Sequence, residues 1–269
     1  MPFRHAWLYV LAFLALTFVA FWPSYLKDLP AAKIAWHFHA ASAVLWTILA
    51  ALQSWSIHND HWALHRGAGL AVFVLFPFFL IAGVWVIHLE ATTLAGGLTN
   101  PDNREIAQIG IVDLLANGGF ALLFWGGLKY RYKVHLHARY MLGTLMFVVG
   151  AIIWRLLRGY VPMFHVDLVP FSYVFAISNA VPIVIALYLH WQAPKHGRPW
   201  LLVASIIAAQ QILYETIGRL DGWAWIFSRI AHLNLPLLLA LTGIVSLGVA
   251  WYGWVAGARP SRTRVAATA

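Results

Sequence analysis

Cysteine is absent from the chain. That excludes disulfides, iron–sulfur clusters, thiolate zinc sites and cysteine nucleophiles, and leaves His, Met, Tyr or carboxylate to hold any metal or haem. Charge is scarce as well. Only 10% of the 269 residues are charged, against roughly 25% in a soluble domain. So little charge cannot coat a soluble globule of this length. Acids are the rarer sign, nine against 18 Lys and Arg, for a net charge of +9. No GxSxG elbow, HExxH helix or aspartyl dyad occurs, so hydrolase chemistry has no motif to rest on. No basic stripe interleaves with exposed aromatics, which speaks against nucleic acid as a partner.

Apolar residues fill the space that charge leaves, at 62% of the chain. They gather in eight runs near the ~20 residues that a spanning helix needs. The runs cover 7–25, 34–57, 67–88, 107–128, 139–158, 170–191, 199–219 and 233–256. The expected fold is all-α, a polytopic bundle of about eight spans in a lipid bilayer. The first run begins after Arg4-His5 and is followed by Phe21-Trp22-Pro23 with no small-x-small site, so it reads as an uncleaved span. One transmembrane domain is expected over 1–258, then a basic, unstructured cytoplasmic tail over 259–269. The longest loop, about 89–106, carries Gly96-Gly97 and Asn100-Pro101-Asp102, which is turn chemistry.

Charge gives the orientation. Alternate loops hold Arg4, Arg66, Lys129, Arg131, Lys133, Arg139, Lys195, Arg198 and the tail arginines, which is eleven of the 18 Lys and Arg. The other side holds Glu90, Asp102, Glu105, Asp167 and Asp221. The positive-inside rule then puts both termini in the cytoplasm, and an even number of spans requires the same. The membrane expected is a bacterial inner membrane. Tryptophans cluster at the span ends, at headgroup level, and only Trp46 falls mid-span.

Ionisable groups inside hydrocarbon cost several kcal/mol each, so they are candidates for function. They gather in the external half: His37 and His39, His88, Asp113 with Asn117, Arg155 and Arg158, and Gln211, Glu215 and Arg219. Asp113 and Asn117 share a helix face at i,i+4, and so do Gln211, Glu215 and Arg219. His37 and His39 point roughly 200° apart on a helix, so only one faces the interior. Near-heptad spacing with Trp46 and Gln53 selects His39. A metal site would draw on His37, His39, His88 and Asp113, and Asn117, Arg155, Glu215 and Arg219 would line the same polar cavity. The alternative is an ion-pair network, with Arg155 neutralising Asp113 or Glu215 and Glu215 pairing with Arg219. At the cytoplasmic side, His61 and His65 stand at i,i+4, and interfacial anchoring is the plainer role for the histidines there. Gln53, Ser178, Asn179, Ser205 and Gln210 read as hydrogen-bonding glue between helices.

Leu64-His65-Arg66 opens the third run and Leu136-His137-Ala138-Arg139 the fifth, a short internal echo. His37-x-His39, Trp46, Gln53, Leu64-His65-Arg66-Gly67-Ala68-Gly69, then Asp113, Tyr130-Arg131, Leu136-His137-Ala138-Arg139-Tyr140-Met141 and Trp154-Arg155 together resemble a family of uncharacterised bacterial polytopic membrane proteins. The resemblance covers about 37–157. It departs at Ala138, where that family often has a basic residue. It implies a helical bundle and draws attention to the same His, Asp and Arg. A looser similarity is to di-haem b-type membrane cytochromes. It implies non-covalent haem b held by His39 and His88 at one face and by His65 and His137 at the other. Three functions fit the residues: a haem- or transition-metal-binding redox protein, a transporter or lipid/small-molecule binder with a proton-coupled carboxylate, and a non-catalytic accessory subunit of a membrane-protein partner.

Overall fold

A computed structural model describes residues 2–97, 103–165 and 167–257. The turn at Asn100-Pro101-Asp102 and the basic tail at 259–269 lie outside the described residues. Eleven α-helices and no strand occur among them. The helices are α1 (Ala6–Phe21), α2 (Ile34–His58), α3 (Trp62–Gly69), α4 (Val72–Ala95), α5 (Arg104–Lys129), α6 (Val134–Gly143), α7 (Met146–Tyr160), α8 (Phe171–Gln192), α9 (Arg198–Glu215), α10 (Asp221–Ser228) and α11 (Leu235–Ala256). Seven helical stretches are long and apolar enough to cross a bilayer, one of them α6 and α7 taken together. The protein is therefore a multi-pass membrane protein. The first run is the exception to the expected eight. Its helix has 16 residues, or ~24 Å at 1.5 Å per residue, short of the ~30 Å hydrocarbon core.

Side-chain placement is that of a lipid-solvated bundle. Val184, Ile244, Val245 and Trp251 are exposed, while Ser42, Ser56, Ser178 and Ser246 are fully buried. Small polar residues suit helix contacts because lipid offers apolar groups nothing that a neighbouring helix does not. Their hydroxyls bond back to carbonyls of their own helix, as Ser178 does to Val174 at 2.7 Å. Proline starts α9 and α11, where the missing N–H costs nothing. The Asn234 side chain also caps α11, accepting from the Leu237 N–H at 3.0 Å.

Seven helices close into a ring, in the order α1, α2, α4, α5, α9, α8, α7 and back to α1. α11 packs outside it against α4 and α5. α7 leans on α1 and α8 and makes at most slight backbone contact with α2, α4 or α5 across the ring. Side chains must therefore fill the middle. Trp46 is the centrepiece. It is 5% exposed, sits edge-on to Phe120 and Phe124 at 4.9 and 5.7 Å, and donates its indole N–H to Thr144 Oγ1 at 2.9 Å. Phe76 stacks on Phe124 at 3.9 Å and Phe79 on Phe120 at 4.1 Å. The lone mid-span tryptophan is there because its ring fills the core and its N–H has a partner.

α2 and α5 both run toward one end of the ring, and there each is followed by a short helix, α3 or α6, bearing a Leu-His motif. We call this the motif end. Both short helices stop at a glycine, Gly69 or Gly143. Both then tighten to i→i−3 bonds (Ala71 to Ala68 at 3.0 Å, Leu145 to Leu142 at 3.1 Å) before the next helix, α4 or α7, begins.

Candidate functional site in the ring interior

Away from the motif end, costly side chains from four helices meet inside the ring. α4 carries Glu90 and α5 carries Asp113, and the two carboxyl groups lie within electrostatic reach of each other. Two carboxylates this close and away from water repel, and a proton held between them would relieve that repulsion. Arg155, from α7, lies within electrostatic reach of Asp113 and of His39 on α2. Asn117 follows Asp113 by one turn and donates to its backbone carbonyl at 2.9 Å. Gly83 on α4 has to be glycine here, because Asn117 occupies the space a side chain would need.

The chemistry of the cluster is incomplete from protein atoms alone. His39 Nδ1, Glu90 Oε2, Asn117 Oδ1 and Arg155 Nε are buried without a hydrogen-bond partner. Buried polar atoms are nearly always paired in native proteins, so these four, from four helices, are candidate contacts for a bound group. Arg155 is only partly engaged. It donates to its own helix at Ala151 O (3.2 Å) and lies 4.0 Å from the Phe21 ring centre. No ion pair joins it to Asp113 or Glu215 among the described residues. Of the ion pairs expected from sequence, the one formed is Glu215 with Arg219, which is partly exposed. That carboxylate ends a ladder in which Asn179 donates to Gln211 at 3.0 Å and Gln211 to Glu215 at 3.3 Å. Gln210 ties α9 to α5 by donating to Val112 O at 2.9 Å.

Other expected members lie elsewhere. His37 is hydrogen-bonded through Nδ1 to the Tyr25 hydroxyl at 2.7 Å, and burial raises that hydroxyl above its ordinary 10.0. His88 faces the Leu233 carbonyl at 3.3 Å. It lies nine residues beyond Phe79, whose ring contacts His39 at 5.7 Å, so ~13 Å of helix separates the two levels. The structure does not bring His37, His39, His88 and Asp113 together, and no group of three or more metal-ligating side chains occurs among the described residues. The reason is helical geometry. Residues at i,i+2 diverge, and α4 continues past the expected end of its span.

That continuation also hid Glu90, which sequence reasoning left in the loop at 89–106. α4 runs on to Ala95. Glu90 stands one turn from buried Val86 and one turn from buried Leu94, on the inward stripe. The i,i+4 register with those two residues was the available signal.

At the motif end the histidines are held by backbone. His65 donates from Nδ1 to Gln53 O at 3.2 Å and His137 from Nδ1 to Gly127 O at 2.8 Å. A carbonyl only accepts, so Nδ1 carries the proton in both. The two rings are within electrostatic reach of one another. His65 lies outside the spans, and burial holds it below its ordinary 6.5, partly offset by the Gln53 bond. His61 does not join it. It rests on Trp55 at 5.0 Å, an anchoring contact. No protein-family model matches the chain, and neither a curated protein nor a solved structure does.

Proposed function

We propose that this multi-pass protein of a bacterial inner membrane binds a small polar solute or lipid-derived molecule inside the helix ring and couples that binding to the proton shared by Glu90 and Asp113. The approach of the Glu90 and Asp113 carboxyl groups to each other, with Arg155 near Asp113 and His39, carries the reading. A charge entering the ring changes how well that proton is held, which is the physical basis of coupling. Arg155, without a carboxylate in contact, offers an anionic group on the solute a partner. His39 and Asn117 offer directional hydrogen bonds. The excess of Lys and Arg at the motif end puts that end in the cytoplasm, so the site lies in the outer half of the membrane. The test is proton uptake into proteoliposomes on addition of candidate carboxylate, phosphate and amine solutes. At least one solute is expected to move protons with wild type, and Asp113→Asn and Glu90→Gln to stop the movement while the protein stays folded. Equal uptake by wild type and both variants would refute the coupling.

A second reading draws on the motif end. His65 and His137 each spend Nδ1 on a carbonyl, which orients Nε2 for a metal, as ligating histidines are oriented. Haem b between those two imidazoles would make the protein an electron carrier. A Soret band in purified protein, lost in His137→Ala, supports that reading, and a colourless preparation removes it.

A further inference from the structure

On the outer surface of the ring, α5 and α11 leave a groove of about 600 Å³ between them. Ala121, Leu122, Trp125, Gly248, Val249 and Tyr252 line it, with no charged residue. Gly248 shapes it, because a side chain there would project into open space. Both helices run toward the motif end, so the groove rises from mid-bilayer to the interface. From Ala121 to Lys129 is eight residues, ~12 Å of helix, against ~15 Å for one leaflet's hydrocarbon. The groove therefore has the reach of one acyl chain.

Its upper end is framed by chemistry suited to a phosphate. The Trp125 and Tyr252 rings are stacked with centres 6.1 Å apart. Lys129 Nζ stands 4.6 Å from the centre of Trp125. The Trp125 indole N–H is buried without a protein partner. Arg131 nearby is already spent, donating to Leu128 O at 3.1 Å and Trp254 O at 2.6 Å. Lys129, Arg131 and Lys133 have no carboxylate partner among the described residues, so the local charge is uncompensated. We propose that this groove binds one anionic phospholipid, an acyl chain lying between α5 and α11 and the phosphate against Lys129. A zwitterionic lipid would bring its own cation into a region that already has too many.

Native mass spectrometry of delipidated protein, titrated with phosphatidylglycerol or phosphatidylcholine of identical chains, tests this. Wild type is expected to retain one phosphatidylglycerol in preference to phosphatidylcholine. Lys129→Gln lowers that affinity about fivefold, the usual effect of one basic residue near anionic lipid. Gly248→Leu fills the groove and abolishes the preference with unfolding temperature unchanged. Excess inorganic phosphate leaves the lipid bound, since the chain supplies part of the affinity. Equal retention of both lipids, retention by both variants as by wild type, displacement by phosphate, or a dimer lost in Gly248→Leu with no lipid bound would each overturn the proposal.

Discussion

The stretches α2–α3–α4 and α5–α6–α7 are built alike, and they differ at one informative place. Each is a span, a short Leu-His helix ending at a glycine, and another apolar helix. In each, the motif histidine donates to a carbonyl near the end of the preceding span, Gln53 or Gly127. Fourteen residues before those carbonyls stand His39 and Asp113. Midway stand Trp46 and Phe120, which touch at 4.9 Å. The histidine latch and the aromatic filler occur in both units, so they serve the fold. The ionisable residue at the matching position changes from base to acid, and both residues face the ring interior near Arg155. What the units share builds the bundle, and where they differ lies the candidate chemistry.

The shared parts can be broken in order of size. Trp46→Ala removes the ring centre and the indole donor to Thr144 Oγ1. It is expected to cost about 3–5 kcal/mol, and Phe120→Ala a comparable amount if the two positions are equivalent. Unfolding in detergent measures both, and a loss under 1 kcal/mol for either would break the equivalence. Gly83→Val drives a side chain into Asn117 and is expected to cost about 1–3 kcal/mol through overpacking, whereas Gly248→Val on the lipid face should be nearly neutral.

The latches come next. His137→Ala is expected to cost about 1–2 kcal/mol, and His65→Ala somewhat less, since its bond is longer and its site more open. His65 also has a pH signature. Its folded form holds a proton less readily than the unfolded chain, so its contribution is complete above about pH 6.5 and is lost as pH falls below that value. The unfolding temperature should drop between pH 7 and pH 5, and less steeply in His65→Asn, which keeps a donor for Gln53 O. An identical slope in both proteins would remove His65 from the account. The smallest effect belongs to Glu215→Gln. Its ion pair with Arg219 is partly exposed, and such pairs contribute about 0–1 kcal/mol.

Much of this was legible in the sequence. Apolar run length gives seven of the eight expected spans, while the first run falls short at 16 residues and the third runs on to Ala95. Near-heptad spacing of His39, Trp46 and Gln53 puts His39 inward, where it meets Phe79. The rest depends on things a linear pattern does not hold. Hydropathy drops at Glu90, so a window ends the span there, but the helix continues because Ala91 and Leu94 beyond it are buried against Ala107 and Phe227. His88 shares a depth with other polar residues on paper, yet the rotation of α4 turns it to Leu233. The closure of seven helices into a ring is a long-range fact. No local signal says that α7 will sit beside α1, and that neighbour relation brings Arg155 across to Asp113 and His39.

The proton proposed to be shared by Glu90 and Asp113 is the point on which the functional account turns. Infrared spectroscopy of purified protein at neutral pH reads it directly, as the C=O stretch of a protonated carboxyl group. Wild type should show that band, and both Glu90→Gln and Asp113→Asn should lack it. A wild-type spectrum without the band, or variants that keep it undiminished, would contradict the account.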